Sequence, residues 1–500
     1  MLLSQGTTNR YSQFLRQRYR GIVGYTGLVG AIAGLVILSP LLALFAYPEE
    51  ISLAWGFLLP GLILTLGGGL LWWQITPKQA LSLSVQEGAV IVVLSWLLAI
   101  GVGTIPFITI QGLNFTQAMF ESTSGWTTTG LSVVDVTQAS HLILLYRSNI
   151  ELAGGAGLAI ITLSAITGIV GSGLTAAEGR SEQLAPNVRR SAKLVLSIYS
   201  AYAAVGIIAL GIAGMGWFDA INHSFAALST GGFSTRTDSI GYWDSPAVEA
   251  VTIVLMILGT LNFLTSYMLI KGKFKAVIRN PEVRLQAVLI PLCIIILFLG
   301  VASGLYPSLG KGARVAIFET ITALSTTGFS TVGYGDWNSL GWCIMLILML
   351  IGGGTGATAG GIKQFRIYAL YRGLVWEVKR MLLPDNAVTE PDFWQGERRR
   401  FLQDSQLRTI ALFVFLYLLL FGVGVIITCA YGYSLPDSLF EYASTLSTVG
   451  LSVGVTAADA PGGLLWTQIV GMFLGRLEFF TVFIGMIRLW QDLPSMVLSK

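Results

Sequence analysis

Four short polar phrases carry the residue types that bind a dehydrated cation. Each has serine or threonine hydroxyls followed by glycine, and each lies between two apolar stretches. Hydroxyl and carbonyl oxygens replace a cation's hydration shell, and glycine permits backbone angles that side chains resist. Such polar backbone is tolerated at membrane depth only where it lines a water-filled path or is buried in protein. Four copies on one chain therefore predict the four walls of one pore. The phrases span residues 127–132, 229–234, 325–330 and 447–452.

The residues predicted to contact the ion occupy equivalent positions in the four phrases. We expect its ligands among the following residues: Thr128, Thr129, Gly130, Thr230, Gly231, Gly232, Thr326, Thr327, Gly328, Thr448, Val449 and Gly450. Nine positions before each phrase's filter glycine stand Glu121, His223, Glu319 and Glu441, which places the repeats in register. We expect these four near the start of short helices, either capping free N–H groups or forming an outer ring that attracts cations.

A competing filter sequence lies within the third repeat. Thr331, Val332, Gly333, Tyr334 and Gly335 spell the filter of tetrameric potassium channels. The other repeats have no such string after their glycine, and Gly333 lies fourteen residues beyond Glu319 instead of nine. We therefore predict an outer loop here, while a contribution of this string to the filter stays open.

The composition is that of a polytopic membrane protein. Of the 500 residues, 54% are hydrophobic and 11% charged, and the mean hydropathy is +0.71; a soluble protein would carry about 25% charged residues. Shorter segments before the polar phrases, too short to span a bilayer, predict re-entrant pore helices near 115–126, 217–228, 313–324 and 435–446. The predicted spans are 22–46, 54–75, 88–109, 141–175, 194–215, 247–270, 285–304, 339–378, 408–431 and 464–489.

The distribution of charge predicts the orientation and excludes other functions. Most of the 30 lysines and arginines fall on one predicted face, which should be cytoplasmic with both termini inside. Residues 381–405 predict a cytoplasmic linker or a docking surface for a soluble partner. The sequence offers no basic soluble module for nucleic acid, and its two histidines and three cysteines predict no transition-metal site.

A dense run of glycines interrupts the span after the third phrase. The glycines are Gly352, Gly353, Gly354, Gly356, Gly360 and Gly361, a density that breaks a helix. A phosphate-binding loop would require a lysine after the last glycine, where Ile362 stands, so close helix packing is the remaining structural alternative. Arg476 lies within the last span and predicts either a pair with Glu478 or a carbonyl, or a positive barrier in the pore.

These residues make the chain resemble the membrane subunit of the Trk/Ktr/HKT potassium transporter superfamily, and most of all its TrkH type. The matching sequences are the four phrases, residues 222–225, 154–157, 352–363 and 472–478. The resemblance implies potassium uptake, K+ at the filter residues, a gating loop at the glycine run and a barrier at Arg476. It also implies an inner-membrane homodimer with a cytosolic nucleotide-binding (RCK-type) partner and no covalently bound cofactor. Glu151 departs from the mostly apolar or aromatic residue expected there.

The predicted fold class is an all-α polytopic membrane protein with four helix–pore-loop–helix repeats around one pseudo-fourfold pore. The predicted units are a two-helix addition at 1–80 and pore repeats at 81–185, 186–275, 276–385 and 386–500. A sodium-permeable or sodium-coupled transporter of the same superfamily is the alternative, and coupling to H+ or Na+ stays open. A membrane enzyme such as a lipid-modifying transferase would need convergent catalytic groups that the sequence lacks, so we expect no enzyme.

Overall fold

The computed structural model describes residues 2–76, 84–157, 188–384 and 390–497, and within them the chain is almost entirely helical. This confirms the prediction of an all-α polytopic membrane protein. In chain order the elements are α1 (Leu2–Leu38), 3-10 turns Ser39–Phe45 and Pro48–Leu53, α2 (Trp55–Ile75), α3 (Val85–Gly103), α4 (Ile105–Thr109), α5 (Phe115–Trp126), α6 (His141–Ala156), α7 (Val188–Ile212), α8 (Trp217–Ser229), 3-10 turn Ser239–Trp243, α9 (Pro246–Thr260), α10 (Phe263–Ile270), α11 (Phe274–Arg279), α12 (Pro281–Leu297), π-turn Phe298–Ala302, α13 (Ser303–Leu305), α14 (Leu309–Ser325), α15 (Ser339–Ile351), α16 (Gln364–Met381), β1 (Asp392–Gln395), β2 (Arg398–Phe401), α17 (Asp404–Ala430), α18 (Leu435–Leu446), α19 (Gly462–Leu477) and α20 (Phe479–Val497).

Six described helices are long and apolar enough to cross a membrane, and two bent helix pairs raise the number to eight. The two bent pairs lie at the predicted spans 247–270 and 464–489, with a bend of 117° between α9 and α10 and of 102° between α19 and α20. Asn262 starts the new direction of α10 by accepting from the N–H of Leu264. Glu478 breaks the second pair with a φ of 58°.

Two further predicted spans are only partly continuous in the structure. The span 339–378 is interrupted, since α15 ends at Ile351 and α16 begins at Gln364 after the glycine run. The span 141–175 begins as α6, and its part beyond residue 157 lies outside the described residues. The predicted unit boundaries near 80, 185 and 385 also lie outside them, and the boundary at 275 falls inside α11.

The four short helices lie where the sequence predicts them, as α5, α8, α14 and α18. The third, α14, starts earlier than expected because Ser308 accepts from the N–H of Lys311 and caps it. Asn114 and Ser434 cap α5 and α18 in the same way. Every short helix ends at its polar phrase, so the fold places four equivalent turns in the interior of the protein.

The first two helices pack closely through glycines. A Cβ atom built on Gly68 would overlap the carbonyl oxygen of Gly27, and one on Gly34 would meet the carbonyl oxygen of Gly61. Small residues let helix backbones approach in membranes, where van der Waals contact drives association. Helix α3 packs on both α1 and α20. The pair α1 and α2 is therefore attached to the first repeat and to the last helix of the chain.

We predict that Gly68→Leu destabilises the protein while the neighbouring Gly67→Leu does not. A side chain at Gly68 meets the backbone of Gly27 and Ala31, whereas one at Gly67 enters open space. Overpacking of this kind costs about 1–3 kcal/mol. The midpoint of thermal unfolding in detergent measures the effect, and equal midpoints for the two variants would disprove the close packing of α1 on α2.

Candidate ion pathway

The four filter glycines form a closed ring. A Cβ built on Gly130 would overlap the carbonyl oxygen of Gly231, one on Gly232 that of Thr327, one on Gly328 that of Val449, and one on Gly450 that of Thr129. Each repeat therefore touches the next, and the fourth touches the first. We call Gly130, Gly232, Gly328 and Gly450 the glycine ring. No larger residue fits here without displacing the neighbouring repeat's backbone.

The backbone adopts the same unusual conformation in all four phrases. Thr128, Thr230, Thr326 and Thr448 have φ of 54°, 54°, 56° and 51°, and the ring glycines have φ of 88°, 81°, 81° and 97°. Left-handed φ is strained for a β-branched residue and persists only where the surroundings enforce it, most often at functional sites. Four identical cases on one chain mark one repeated site.

The hydroxyls of the four left-handed threonines have different partners. Within the described residues, the Oγ1 atoms of Thr128 and Thr448 are buried without a hydrogen-bond partner. The Oγ1 atom of Thr230 lies 3.1 Å from that of Thr358, and Thr326 Oγ1 accepts from the N–H of Gly360 at 2.7 Å. Unpaired buried hydroxyls are costly unless a ligand satisfies them, so this level of the phrases is suited to bind a cation.

The acidic residues before the phrases do not cap helices and do not form an exposed outer ring, so both interpretations of them were wrong. Glu121, Glu319 and Glu441 lie well inside their short helices and are fully buried. Each accepts hydrogen bonds from the backbone just after its phrase. The donors are the N–H of Val133 at 3.0 Å, of Thr331 at 2.8 Å, and of Val453 and Thr456 at 3.0 Å each.

His223 takes the same role in the second repeat. Its Nδ1 lies 2.8 Å from the carbonyl oxygen of Asp219, which can only accept, so Nδ1 carries the proton. Its Nε2 therefore accepts from the hydroxyl of Ser234 at 2.9 Å, as the carboxylates accept from Ser132 and Ser452. The histidine thus preserves the acceptor that the other repeats supply with glutamate.

Arg147 neutralises the acceptor of the first repeat. Its Nε donates to Glu121 at 2.8 Å, and its other nitrogens donate to Ser132 and to the carbonyl oxygen of Ser234 at 2.9 and 3.0 Å. The guanidinium also lies 3.9 Å from the ring centroid of Phe233. A buried arginine paired in this way fixes two neighbouring repeats to one another. The sequence alone did not identify these partners of Arg147, because they lie on other elements.

The channel-like string of the third repeat lies outside the glycine ring. The hydroxyl of Tyr334 donates to Glu319 at 2.6 Å, and a Cβ on Gly333 or Gly335 would enter open space. These two glycines also lack the positive φ of the ring glycines. The string therefore packs against the third short helix, and its tyrosine stabilises the buried acceptor.

An outer cavity of about 380 Å³ opens above the glycine ring and is lined by all four of its members. Arg147, Arg236 and Asp135 also line it. Arg236 is paired with Asp219 at 2.8 Å. Two hydrogen bonds from Thr137 hold the pKa of Asp135 below its usual range, so this carboxylate stays ionised at neutral pH. Both arginines of this cavity are thus paired with carboxylates, and Asp135 adds a negative charge to its lining.

The glycine run lies directly below the phrases. We call residues 352–361 the glycine segment. Thr358 of this segment donates to the carbonyl oxygens of Leu228 and Gly259, at 3.2 and 2.9 Å. A Cβ on Gly360 would overlap the carbonyl oxygen of Ser447, and one on Gly354 would meet that of Thr260. The segment contacts the second, third and fourth repeats, so it crosses the space beneath the ring.

Arg476 connects this segment to the first repeat. Its guanidinium donates to the carbonyl oxygens of Thr358 at 2.5 Å and Gly154 at 2.7 Å. The carboxylate of Glu478 binds Arg366 at 2.8 Å. The structure shows these carbonyl contacts, and the barrier in the pore stays a prediction. A positive charge thus lies where the first, third and fourth repeats meet.

A second cavity, of about 790 Å³, lies on the other side of the glycine segment. Thr355 of the segment lines it together with Asn262, Glu282 and the strands β1 and β2. Glu282 accepts from the N–H of Thr355 at 2.7 Å, and Asn262 donates to its carbonyl oxygen. The described part of the predicted linker therefore folds as a hairpin at this cavity. One cavity is thus lined by the glycine ring and the other by a residue of the glycine segment.

Comparison with known proteins identifies the family of this chain. Residues 56–493 match the TrkH family, which is described as cation transport protein. The chain belongs to the TrkH family. The resemblance seen in the sequence is confirmed, and the chain is a multi-pass membrane transport protein and not an enzyme.

TrkH-family relatives cover most of the chain. It is 32% identical over 434 residues to the Trk system potassium uptake protein TrkH of Escherichia coli (strain K12), spanning 83% of this chain and 88% of that protein. It is 30% identical over 468 residues to an uncharacterized cation transporter of Methanocaldococcus jannaschii, spanning 93% and 94%. The crystal structure of the potassium transporter TrkH from Vibrio parahaemolyticus matches with a TM-score of 0.79 at 30% identity, spanning 93% and 98%.

We predict that Arg147→Leu lowers the free energy of unfolding by about 3–5 kcal/mol, because it leaves the Glu121 carboxylate buried without its cation. Lys273→Leu serves as the control, since its pair with Glu397 is exposed and contributes about 0–1 kcal/mol. Thermal or chemical unfolding in detergent compares the two variants. Equal losses would show that the Arg147 pair does not stabilise the first phrase.

Proposed function

We propose that this protein takes up potassium ions across the inner (plasma) membrane through the glycine ring. The observation that carries the proposal is the fourfold repetition of a left-handed threonine followed two residues later by a left-handed glycine. Such turns direct backbone carbonyls and threonine hydroxyls inwards, where they replace the hydration shell of a cation. Relatives named as potassium uptake proteins support K+ as that cation.

The twelve predicted filter residues then form successive rings of ligands. The ring glycines lie at the outer cavity, and the left-handed threonines lie above the glycine segment. Glycine at the ring position of all four repeats (Gly130, Gly232, Gly328 and Gly450) supports a preference for potassium over sodium. Carbonyl oxygens suit K+ through their number and field strength, and a ring without side chains lets the backbones approach closely.

The glycine segment and Arg476 serve as gate and barrier in this proposal. The segment crosses below the threonines, and Arg476 holds Thr358 by its carbonyl oxygen. Glycine-rich backbone changes conformation at low cost, and a fixed guanidinium repels a cation leaving the filter. Movement of the segment towards the inner cavity would open the path, driven by the electrochemical gradient of the ion.

The proposed orientation in the membrane is based on the distribution of charged residues, and the proposed assembly on membership of the TrkH family. Both termini lie in the cytoplasm in this proposal, because the loops on their side carry most of the arginines and lysines. Two chains form a homodimer with one pore each. A cytosolic nucleotide-binding partner of the RCK type docks near the inner cavity, and the names of the relatives as parts of a Trk system support a multi-component assembly.

We predict that purified protein in proteoliposomes accumulates rubidium-86 and that potassium competes more strongly than sodium. Gly328→Ala should abolish this preference and most uptake, because its Cβ overlaps the carbonyl oxygen of Val449. Gly333→Ala is the matched control in the same repeat, since its Cβ enters open space.

Loss of selectivity in Gly333→Ala alone would move the filter to the string at 331–335. Equal competition by sodium in the unchanged protein would instead establish the sodium-permeable alternative.

We predict that Arg476→Ala raises rubidium flux several-fold, since it removes both the positive charge and a tether of the glycine segment. Arg488→Ala is the control, because it removes an arginine from the following helix, where it pairs with Asp492. Flux is measured over a series of membrane voltages. A flux unchanged by Arg476→Ala at every voltage would refute the barrier.

A further inference from the structure

The glycine segment is joined at its base and held separately at its tip. Four backbone hydrogen bonds join residues 350–353 to residues 360–364, so the two ends of the segment lie side by side. The N–H groups of Gly353, Ile362, Lys363 and Gln364 donate to the carbonyl oxygens of Gly360, Leu350, Ile351 and Gly353, at 3.2, 3.0, 3.0 and 2.9 Å. We call residues 354–359 the tip. Because the base has its own hydrogen bonds, the tip can move while the base stays intact.

The tip docks at the end of α9, where the chain turns by 117° into α10. The N–H of Gly354 donates to the carbonyl oxygen of Thr260 at 3.1 Å, and the hydroxyl of Thr358 donates to that of Gly259 at 2.9 Å. Carbonyl groups in the last turn of a helix have no partner within the helix. The tip therefore supplies the donors that α9 loses because it ends at Thr260.

Asn262 holds the tip from the other side of the bend. Its Oδ1 accepts from the N–H of Leu264 at 2.8 Å, which starts α10, and its Nδ2 donates to the carbonyl oxygen of Thr355. Glu282 accepts from the N–H of Thr355 at 2.7 Å. A side-chain amide carries both an acceptor and donors, so one asparagine can start a helix and bind the tip at once.

Asn280 provides a matched comparison on the same side of the protein. Its Oδ1 accepts from the N–H of Glu282 at 2.8 Å and starts α12, as that of Asn262 starts α10. Its Nδ2 donates to the hydroxyl of Thr265 at 3.0 Å and not to the tip. Both asparagines line the inner cavity of about 790 Å³. The two side chains thus share a capping role and differ in the group that receives their amide N–H.

The inner cavity makes docking of the tip reversible. Thr355 lines this cavity together with Asn262, so water there can replace the hydrogen bond between them. Exchange with water reduces a hydrogen bond to its net strength, and loss of one such bond shifts an equilibrium about two- to tenfold. A single asparagine can therefore set the balance between a docked and a released tip.

We propose that Asn262 is a positioning residue that latches the tip of the glycine segment against the end of α9. This inference rests on the proposed function, in which the glycine segment is the gate. Loss of the amide contact frees the tip to enter the inner cavity, and ion flux rises. The glycine ring has no part in this contact, so selectivity is unaffected.

The first test compares rubidium-86 uptake by the unchanged protein, Asn262→Ser and Asn262→Asp in proteoliposomes, with rates divided by the amount of folded protein. Serine keeps an acceptor for the N–H of Leu264 but is too short to reach Thr355, and aspartate keeps the size but has no N–H. Maximal rate should rise about two- to tenfold in both variants. KM and the preference for potassium over sodium should stay near those of the unchanged protein.

Asn280→Ser is the control, because it removes the corresponding amide from the start of α12. It should keep the maximal rate of the unchanged protein. An equal rise in Asn280→Ser and Asn262→Ser would overturn the proposal, since the effect would then belong to the inner cavity as a whole.

The reactivity of a thiol at position 355 measures release of the tip without ion flux. Replacing Cys293, Cys343 and Cys429 by alanine leaves Thr355→Cys with the single thiol of the chain. A water-soluble maleimide should react with it about two- to tenfold faster when Asn262→Ser is added. Adding Asn280→Ser instead should leave the reaction rate unchanged.

The two measurements separate the latch from the gate. A thiol reaction that is no faster with Asn262→Ser than with Asn280→Ser would overturn the proposal, whatever the flux. A faster thiol reaction without faster uptake would support the latch and contradict the gating role of the segment in the proposed function. Absence of rubidium uptake by the unchanged protein would contradict the proposed function itself, and the thiol reaction would still decide the role of Asn262.

Discussion

Burial of polar backbone is the constraint on which this structure depends. A filter strand that turns its carbonyl oxygens to the pore turns N–H groups away from it, and in a membrane those groups need acceptors within the protein. Glu121, Glu319 and Glu441 accept from such N–H groups at the end of their phrases, and His223 accepts from the hydroxyl of Ser234. The short helices exist to place these side chains, and the long helices enclose them. Without the acceptors, the left-handed threonines would have no fixed backbone behind them.

The fourfold arrangement is uniform at the ring and varied behind it. All four ring glycines share one conformation, but Arg147 supports only the first acceptor and Tyr334 only the third. The glycine segment belongs to the third repeat alone, and Glu151 faces the second phrase alone. A single chain allows such differences, because each repeat is encoded separately. The glycine ring stays symmetric, while the contacts that support it differ from one repeat to the next.

The sequence predicted the parts that depend on spacing and composition. Nine-residue spacing predicted the register of the repeats, and hydropathy with length predicted the short helices and most spans. It did not predict the sharp bends at Asn262 and Glu478, because an apolar run of sufficient length looks the same whether straight or bent. It also misplaced the acidic residues at helix starts, since their acceptor role depends on how the following strand folds back. Their constant spacing from the ring glycines was the signal that could have revealed this pairing.

The proposed function requires that the four phrases bind one line of monovalent cations on their common axis. Crystals of the protein soaked in rubidium and measured at the rubidium absorption edge would locate the ions by anomalous scattering. We predict peaks on the axis between the glycine ring and the four left-handed threonines, Thr128, Thr230, Thr326 and Thr448. Peaks confined to the loop around Gly333, or an axis without ions while rubidium occupies other sites, would contradict it.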